Sequence, residues 1–446
     1  MQLNEPEKQQ AELEQAVSDV LTEARRRGAS AAEASAHRDR GLSATVRLGE
    51  VETIEHTNDN GLAISVYFGQ HKGSASTADL SREAIRETVE AACNIARYTQ
   101  EDNCAGLADA DLMARDIPDL DLFHPWTVSV DEAVNAARRC EDAAREKDPR
   151  ICNSDGATVN THSGIGVYGN THGFLAGYPS SRHSLSCAVV AREGDSMERD
   201  YWYTTARRAD DLDAAEAVGR RAAERTVARL NARRLRTRNA PVIFRAEIAS
   251  GLLRGFVGAI RGSALYRRAS FLLDALGKPV FPQWVRIHED PLLPRGLSSA
   301  PFDAEGMATR ARELVSNGVL QGYVLDSYSA RKLGMATTGN AGGVRNLAID
   351  SGEHDLQGLL REMGTGLLVT ELMGQGVNTV TGDYSRGASG FWVENGEIAY
   401  PVEEITVAGN LGAMLMNLLA VGNDTDHPGS IRTGSWLIGD MMIGGD

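Results

Sequence analysis

The pair His288-Glu289 resembles the start of a helical zinc motif, in which two histidines and a glutamate share one helix face. Histidines at helical spacing converge on one metal ion, and the carboxylate activates the water bound to it. Pro291 would interrupt such a helix, and the next histidine is His354. Neither HExxH nor HExxxH occurs in the sequence, so the pair is predicted to lie in a loop.

Three further histidines, His162, His172 and His183, recur about every ten residues in a β-like stretch. They could meet across neighbouring strands and bind a metal ion together with nearby carboxylates. Their neighbours are mainly Thr, Gly, Asn and Ser, which are typical of exposed strand ends and turns. We favour that second interpretation and keep the metal site as an alternative.

Other catalytic patterns are weak. There is no GxxxxGK[ST] phosphate loop and no GxSxG nucleophile elbow. The glycine-rich segment Thr337 to Gly343 could bind an anion through backbone amides, but such residues more often form turns. We therefore predict a turn there.

Asp383, Tyr384 and Arg386 place an acid, a phenol and a guanidinium within the glycine-rich segment Gly382 to Gly390. These groups suit recognition of a peptide backbone or terminus, and they are our candidate substrate-binding residues. The alternative is an Asp-Arg pair that fixes a tight loop.

Composition limits the class of protein. The 446 residues carry a formal net charge of -15, which opposes direct binding to nucleic acid. No apolar run is long enough to span a membrane, and the acidic N-terminus does not resemble a secretory signal. The basic run Arg229 to Arg238 is predicted to be a solvated helix end and linker. A cytoplasmic location fits five scattered cysteines without a CxxC pair: Cys93, Cys104, Cys140, Cys152 and Cys187.

The pattern of elements predicts an α+β protein with two domains. Residues 1–232 should form an antiparallel sheet with packed helices, and residues 240–446 a β-rich domain. The first sheet is predicted from five short strands over 32–38, 42–48, 50–57, 62–69 and 72–77, with turns at Gly41, Gly49, Asn60-Gly61 and Gly69.

Helices are predicted over 7–27, from Ser81, from a Ser129/Glu132 capping box to about Lys147, and over 211–230. In the second half we expect helices over 247–260, 355–363 and 410–421. Asn395-Gly396 is predicted to form a hairpin turn.

Long sequence blocks resemble the TldD/PmbA family, often called modulators of DNA gyrase, and specifically its PmbA (TldE) branch. They include GLAISVYFGQHKGSAS at 61–76, SFLLDALGKPVFP at 270–282, and the nearly continuous stretch at 371–411. The resemblance runs almost from end to end.

In the catalytic branch, the resemblance implies an HExxxH helix soon after the first strand of the second domain. Placed on this sequence, the motif puts its first histidine at Ala246, its glutamate at Glu247 and its second histidine at Gly251. A cysteine near the C-terminus of that branch falls on Thr433, before Gly434. Both histidine ligands are absent, so we expect no metal and no cofactor in this chain, with Glu247 vestigial.

The resemblance therefore implies a non-catalytic subunit of a cytoplasmic metallopeptidase complex that processes unfolded peptides, as in peptide-antibiotic maturation and antitoxin turnover. Its expected partner is a TldD-like catalytic chain that holds the zinc, and alone it could form a homodimer. Two alternatives stay open, an independent metallopeptidase with unusual ligands and a non-enzymatic regulator of DNA gyrase.

Overall fold

A computed structural model describes residues 5–425 and 429–445, so the outermost ends of both predicted domains lie outside the described residues. The protein is α+β, as predicted, with three sheets. Within the described residues, no helix is both long and apolar enough to cross a membrane.

The first sheet has six antiparallel strands in the order β3-β2-β1-β4-β5-β6. Its strands are β1 (Ala31–Arg47), β2 (Glu50–Phe68), β3 (His71–Thr77), β4 (Ile151–Asn170), β5 (Leu175–Glu193) and β6 (Ser196–Ala206).

Four helices cover one face of this sheet and bury its alternate apolar residues. They are α1 (Glu5–Arg26), α2 (Arg82–Tyr98), α3 (Val130–Arg145) and α4 (Ala215–Ala228). The predicted capping box at the start of α3 is confirmed, because Ser129 and Glu132 satisfy each other's backbone amides.

Two predicted turns are wrong, and five short strands merge into three longer ones. Gly41 lies inside β1 and Asn60-Gly61 inside β2, whereas the turns at Gly49 and Gly69 are confirmed. A Cβ atom on Gly61 would lie 2.2 Å from the His37 ring, and one on Gly41 would lie 2.8 Å from the carbonyl oxygen of Thr161. These glycines permit close approach between neighbouring strands.

The second half contains a six-stranded sheet in the order β14-β13-β12-β7-β17-β15. Strand β14 also pairs with β17, which closes five of these strands into a ring. The strands are β7 (Arg238–Phe244), β12 (Gly366–Met373), β13 (Asp383–Glu394), β14 (Glu397–Asn410), β15 (Leu418–Val421) and β17 (Trp436–Gly444). The predicted Asn395-Gly396 hairpin turn joins β13 to β14, and both residues have positive φ.

A smaller sheet has the order β10-β9-β8-β11-β16. Its strands are β8 (Ile287–Glu289), β9 (Arg312–Ser316), β10 (Val319–Leu320), β11 (Leu347–Ile349) and β16 (Ile431–Arg432). His288 and Glu289 thus lie in a strand, not in the predicted loop. Glu289 is buried and accepts hydrogen bonds from Arg312 and Asn340, which accounts for its place in the core.

The helices of the second half are α5 (Ala246–Ala259), α6 (Gly262–Tyr266), α7 (Ser327–Leu333), α8 (Leu356–Met363) and α9 (Leu411–Met416). Helix α8 begins at the predicted Asp355 cap. Helix α9 ends five residues before its predicted end at Val421, because Leu418–Val421 pairs with β17 instead. The apolar residues Leu418–Val421 therefore form strand β15 and not the last turn of a helix.

The basic run Arg229 to Arg238 is largely solvated between α4 and β7, as predicted, since Arg233, Arg234, Arg236 and Arg238 are exposed, but it also makes specific contacts. Arg229 is largely buried among carboxylates. Arg233 stacks over Tyr400 at 4.5 Å, and Arg238 stacks over Trp392 at 4.9 Å. The run therefore fastens the first half of the chain to the second.

Close packing of α3 on α4 depends on Gly219, where a Cβ atom would lie 1.9 Å from the carbonyl oxygen of Cys140. We expect Gly219→Ala to destabilise the protein by about 1–3 kcal/mol, since the helices must separate. The urea midpoint measures this. Gly258→Ala in α5 is the control, because its Cβ would meet nothing within 4 Å. It should be neutral or stabilising by up to about 1 kcal/mol. Equal midpoints for both variants would contradict the packing argument.

Candidate functional site

The N-terminus of α5 carries the positions at which the resemblance places zinc ligands. The Ala246 amide donates to Ser435 Oγ at 3.0 Å, and Ser435 Oγ donates to Asp424 Oδ2 at 2.6 Å. This contact brings the segment around Thr433 to the start of the helix. Ala246 and the segment that contains Thr433 are therefore close together in this fold.

The side chains at these positions do not fit a zinc ion. Ala246 is buried, and Gly251 faces open space, since a Cβ atom there would meet nothing within 4 Å. The Thr433 hydroxyl is fully buried, accepts from Trp436 Nε1 at 2.7 Å and donates to the Gly434 carbonyl at 2.9 Å. None of the three offers the imidazole, thiolate or carboxylate that zinc requires.

Glu247 forms ion pairs with two arginines, Arg225 and Arg245. Its Oε1 lies 2.6 Å from Arg225 Nη1, with Arg245 Nε at 3.5 Å from the same oxygen. The side chains of Arg225 and Glu247 are only 10% and 18% exposed, so water screens the pair weakly. Burial alone would raise the pKa of Glu247, but the charges of Arg245 and Arg225 outweigh it and lower the pKa. Glu247 is therefore a carboxylate whose charge is already neutralised.

Arg225 also connects the two halves of the chain. Its Nε lies 3.4 Å from Asp200 Oδ2 on β6, while its Nη1 binds Glu247 on α5. The guanidinium further lies over the Trp202 ring, 5.1 Å from its centroid. One side chain of α4 thus joins a strand of the first sheet to the helix that carries the candidate site.

A second arginine, Arg229, repeats this arrangement one turn later. It lies 3.2 Å from Glu198, 3.7 Å from Asp200 and 2.6 Å from Glu371 on β12. Burial and a hydrogen bond with Glu403 raise the pKa of Glu198 to about 7, against the opposing charge of Arg229. We call the set Glu198, Asp200, Arg225, Arg229, Glu247, Glu371 and Glu403 the seam cluster.

The seam cluster was not predicted from sequence. Arg221 and Arg225 on α4 and Arg229 at its C-terminal cap are spaced by four residues, and this helical stripe is the signal that could have indicated the cluster. Beside the cluster lies a small polar cavity of about 170 Å³, lined by Tyr201, Tyr203 and Arg254, among others.

The three candidate substrate-binding residues lie in strand β13, so the predicted loop is corrected. Asp383 is exposed and accepts from Thr381 Oγ1 at 2.6 Å. Tyr384 and Arg386 lie on the opposite strand face, where Tyr384 is buried and Arg386 reaches the Leu372 carbonyl at 3.4 Å. Burial raises the pKa of Tyr384 to about 12, although Arg386 opposes the shift. The predicted alternative of an Asp383–Arg386 pair is wrong, because residues three positions apart in a strand point to opposite faces of the sheet.

The three histidines of the first sheet do not converge. Thr161 is paired with His183, so the adjacent His162 points to the other face, toward Asp39 Oδ1 at 3.3 Å. His183 is fully buried and donates to the His124 carbonyl at 2.8 Å. His172 follows the end of β4, roughly 25 Å farther along the strand direction. Within residues 5–425 and 429–445, no three His, Cys, Asp or Glu side chains form a group that could hold a metal ion.

Replacing Arg225 should lower the free energy of unfolding substantially. We expect Arg225→Met to destabilise the protein by about 3–5 kcal/mol, since Asp200 and Glu247 lose a partly buried counter-charge. Urea unfolding measures the change. Arg139→Met is the control, because Arg139 and Glu216 form an exposed pair, and it should cost less than about 0.5 kcal/mol. A loss below about 1 kcal/mol for Arg225→Met would refute the structural role of the pair.

The raised pKa of Glu198 predicts a pH dependence. Because folding raises this pKa, the folded state binds the proton more tightly, and stability falls as pH rises from about 4.5 to about 7. Glu198→Gln should remove this contribution, on the order of 1 kcal/mol. Unfolding free energies of both proteins at pH 5 and pH 8 provide the test. Parallel pH profiles for the two would show that Glu198 titrates normally.

Comparison with known proteins agrees with this architecture. Residues 32–96, 123–230 and 237–445 match the models for domain 1, the central domain and the C-terminal domain of PmbA/TldA metallopeptidases.

Among relatives, the metalloprotease PmbA homolog of Haemophilus influenzae is 54% identical over 439 residues, covering 98% of this chain and 97% of that protein. The metalloprotease PmbA of Escherichia coli O157:H7 is 52% identical, covering 99% and 98%. The crystal structure of a Bacteroides thetaiotaomicron protein, named as a candidate modulator of DNA gyrase, superposes with a TM-score of 0.92 at 28% identity, covering 97% and 98%. The chain belongs to the PmbA/TldD metallopeptidase family, in its PmbA branch.

Proposed function

We propose that this chain is the non-catalytic, PmbA/TldE-type subunit of a cytoplasmic metallopeptidase complex. Its partner is a TldD-like chain that holds the zinc, and the complex cleaves unfolded peptides. The division into domains 1–232 and 240–446 belongs to this proposal, with the seam cluster joining the two.

One observation carries the proposal: Arg225 neutralises Glu247 at a position where neighbouring ligands are missing. A general base must accept a proton from a bound water. Glu247 instead binds a guanidinium at 2.6 Å, and its pKa is lowered, so it is a weak base. The chemistry of a metallopeptidase therefore has to come from another chain.

The exposed start of strand β13 in the second half supports a role in presenting extended peptides. Strand β13 follows an irregular segment over 374–382, and Asp383 is exposed at their junction. Strand β13 is paired with both β12 and β14 and has no free edge, so a peptide would be recognised here through polar side chains. Asp383 is the candidate that reaches solvent, whereas Tyr384 and Arg386 would position the strand from its buried face.

The proposal predicts what happens when this chain is mixed with a TldD-like chain. The purified chain should show no peptidase activity alone, and activity should appear when a TldD-like chain is added. Glu247→Gln in the mixed complex should change the cleavage rate less than about twofold. A general base contributes roughly 10²–10⁴-fold, so a loss of that size would contradict the assignment. Glu101→Gln, an exposed position, is the matched control.

Activity of the chain by itself would favour the alternative of an independent metallopeptidase. Urea midpoints of Glu247→Gln would separate a folding defect from a catalytic one, since this variant also removes the charge that Arg225 neutralises.

A further inference from the structure

A cavity of about 650 Å³ lies between the first sheet and the loops of the second half. Its floor is the sheet face not covered by helices, formed by alternate residues of β1 and β4 such as Glu33 and Tyr168. Its roof is formed by Phe302 to Glu305 and by the turn at Ala341-Gly342. This volume is in the range of small-molecule and peptide side-chain sites. The cavity is separate from the seam cluster.

One wall of the cavity is aromatic. The rings of Tyr178 and Phe302 meet edge to face with centroids 5.4 Å apart, and both line the cavity together with Tyr168. Such a wall packs well against the methylene stem of a long side chain, and ring faces attract a cation.

Two carboxylates sit beside this wall in contrasting states. Glu33 accepts from the hydroxyls of Tyr67 at 2.8 Å and Tyr168 at 3.0 Å, and Lys72 Nζ is 3.6 Å away. Glu305 uses one oxygen, Oε2, to accept from the amide and hydroxyl of Ser327. Both acids line the cavity.

The remaining charged groups leave the cavity net negative. Asp303 accepts from three backbone amides, and Asp326 caps α7 through Ser329. Arg345 lines the cavity as the counter-charge, and the partly exposed His37 also lines it. Glu305 has no cation within salt-bridge distance among the described residues, and burial raises its pKa to about 7.

Gly166 keeps the floor of the cavity open. Gly166 lies on β4 between Ile165 and Val167, which are buried under the helices, so its α-hydrogen side faces the cavity. A Cβ atom on Gly166 would meet nothing within 4 Å. A larger side chain at this position would fill the cavity without a backbone clash.

We propose that this cavity binds the Lys or Arg side chain of an extended peptide, with the cation on Glu305 and the aliphatic stem against Tyr178 and Phe302. The inference deepens the proposed function, on which it rests, because it gives this chain a specificity pocket for the peptides delivered to the catalytic partner. Binding also replaces the missing counter-charge of Glu305, so a proton should be released near pH 7.

The test uses the isolated full-length chain and two blocked seven-residue peptides, Ac-GSAKASG-NH₂ and the same peptide with norleucine replacing lysine. Fluorescence anisotropy of labelled peptides should give a dissociation constant about tenfold lower for the lysine peptide, since a charged hydrogen bond is lost with norleucine. Glu305→Gln should abolish this preference, and Glu101→Gln should preserve it.

A second variant protects the test against misfolding. Gly166→Leu leaves every carboxylate in place but fills the cavity, and it should weaken lysine-peptide binding at least tenfold with an unchanged urea midpoint. Equal affinity for the two peptides in the wild-type chain would overturn the proposal. So would undiminished lysine preference in a folded Gly166→Leu variant.

The two proposals fail in different ways. If the mixed complex cleaves peptides but the chain has no lysine preference, the pocket is wrong and the subunit role stands. If the chain prefers the lysine peptide but no activity appears with a TldD-like partner, the pocket stands and the subunit role is wrong.

Discussion

The need to neutralise buried carboxylates governs how the two halves of this protein meet. Glu198 and Asp200 extend from β6 and Glu247 from α5, and each would be costly to bury alone, whereas Glu371 on β12 is 42% exposed. Arg225 on α4 and Arg229 at its C-terminal cap supply the charges that make this burial tolerable. Because a guanidinium donates in several fixed directions, one arginine can join carboxylates from different elements. The relative position of sheet and candidate site follows from these contacts.

The same interaction underlies the proposal that this chain does not hold the catalytic metal. A zinc ion would provide a positive charge beside a carboxylate and would activate water there. Here a guanidinium provides the charge, and it carries no water to activate. Ala246 and Gly251 contribute no ligand, so the charge balance around Glu247 is complete without a metal. Under the proposed function, the fold shared with the metallopeptidase family would serve in this chain as a structural and peptide-presenting subunit.

Local signals in the sequence predicted local structure well. The Ser129/Glu132 box, the Asp355 cap and the Asn395-Gly396 turn act within a few residues, and each is found as expected. Gly41 and Gly61 were misjudged because their role depends on a neighbouring strand or side chain, which sequence spacing does not reveal. The seam cluster was missed for a similar reason, since Asp200, Arg225 and Glu247 meet only after folding. The resemblance indicated the N-terminus of α5 as the candidate site. That Arg225 pairs with Glu247 there is apparent only in the folded structure.

The most direct test of the central claim is the number of zinc ions bound to the assembled complex. Native mass spectrometry of this chain with a TldD-like partner would count them without depending on turnover. The account predicts one zinc for each pair of unlike chains, retained by the partner and absent from this chain after dissociation. Two zinc ions for each pair, with one remaining on this chain, would contradict it.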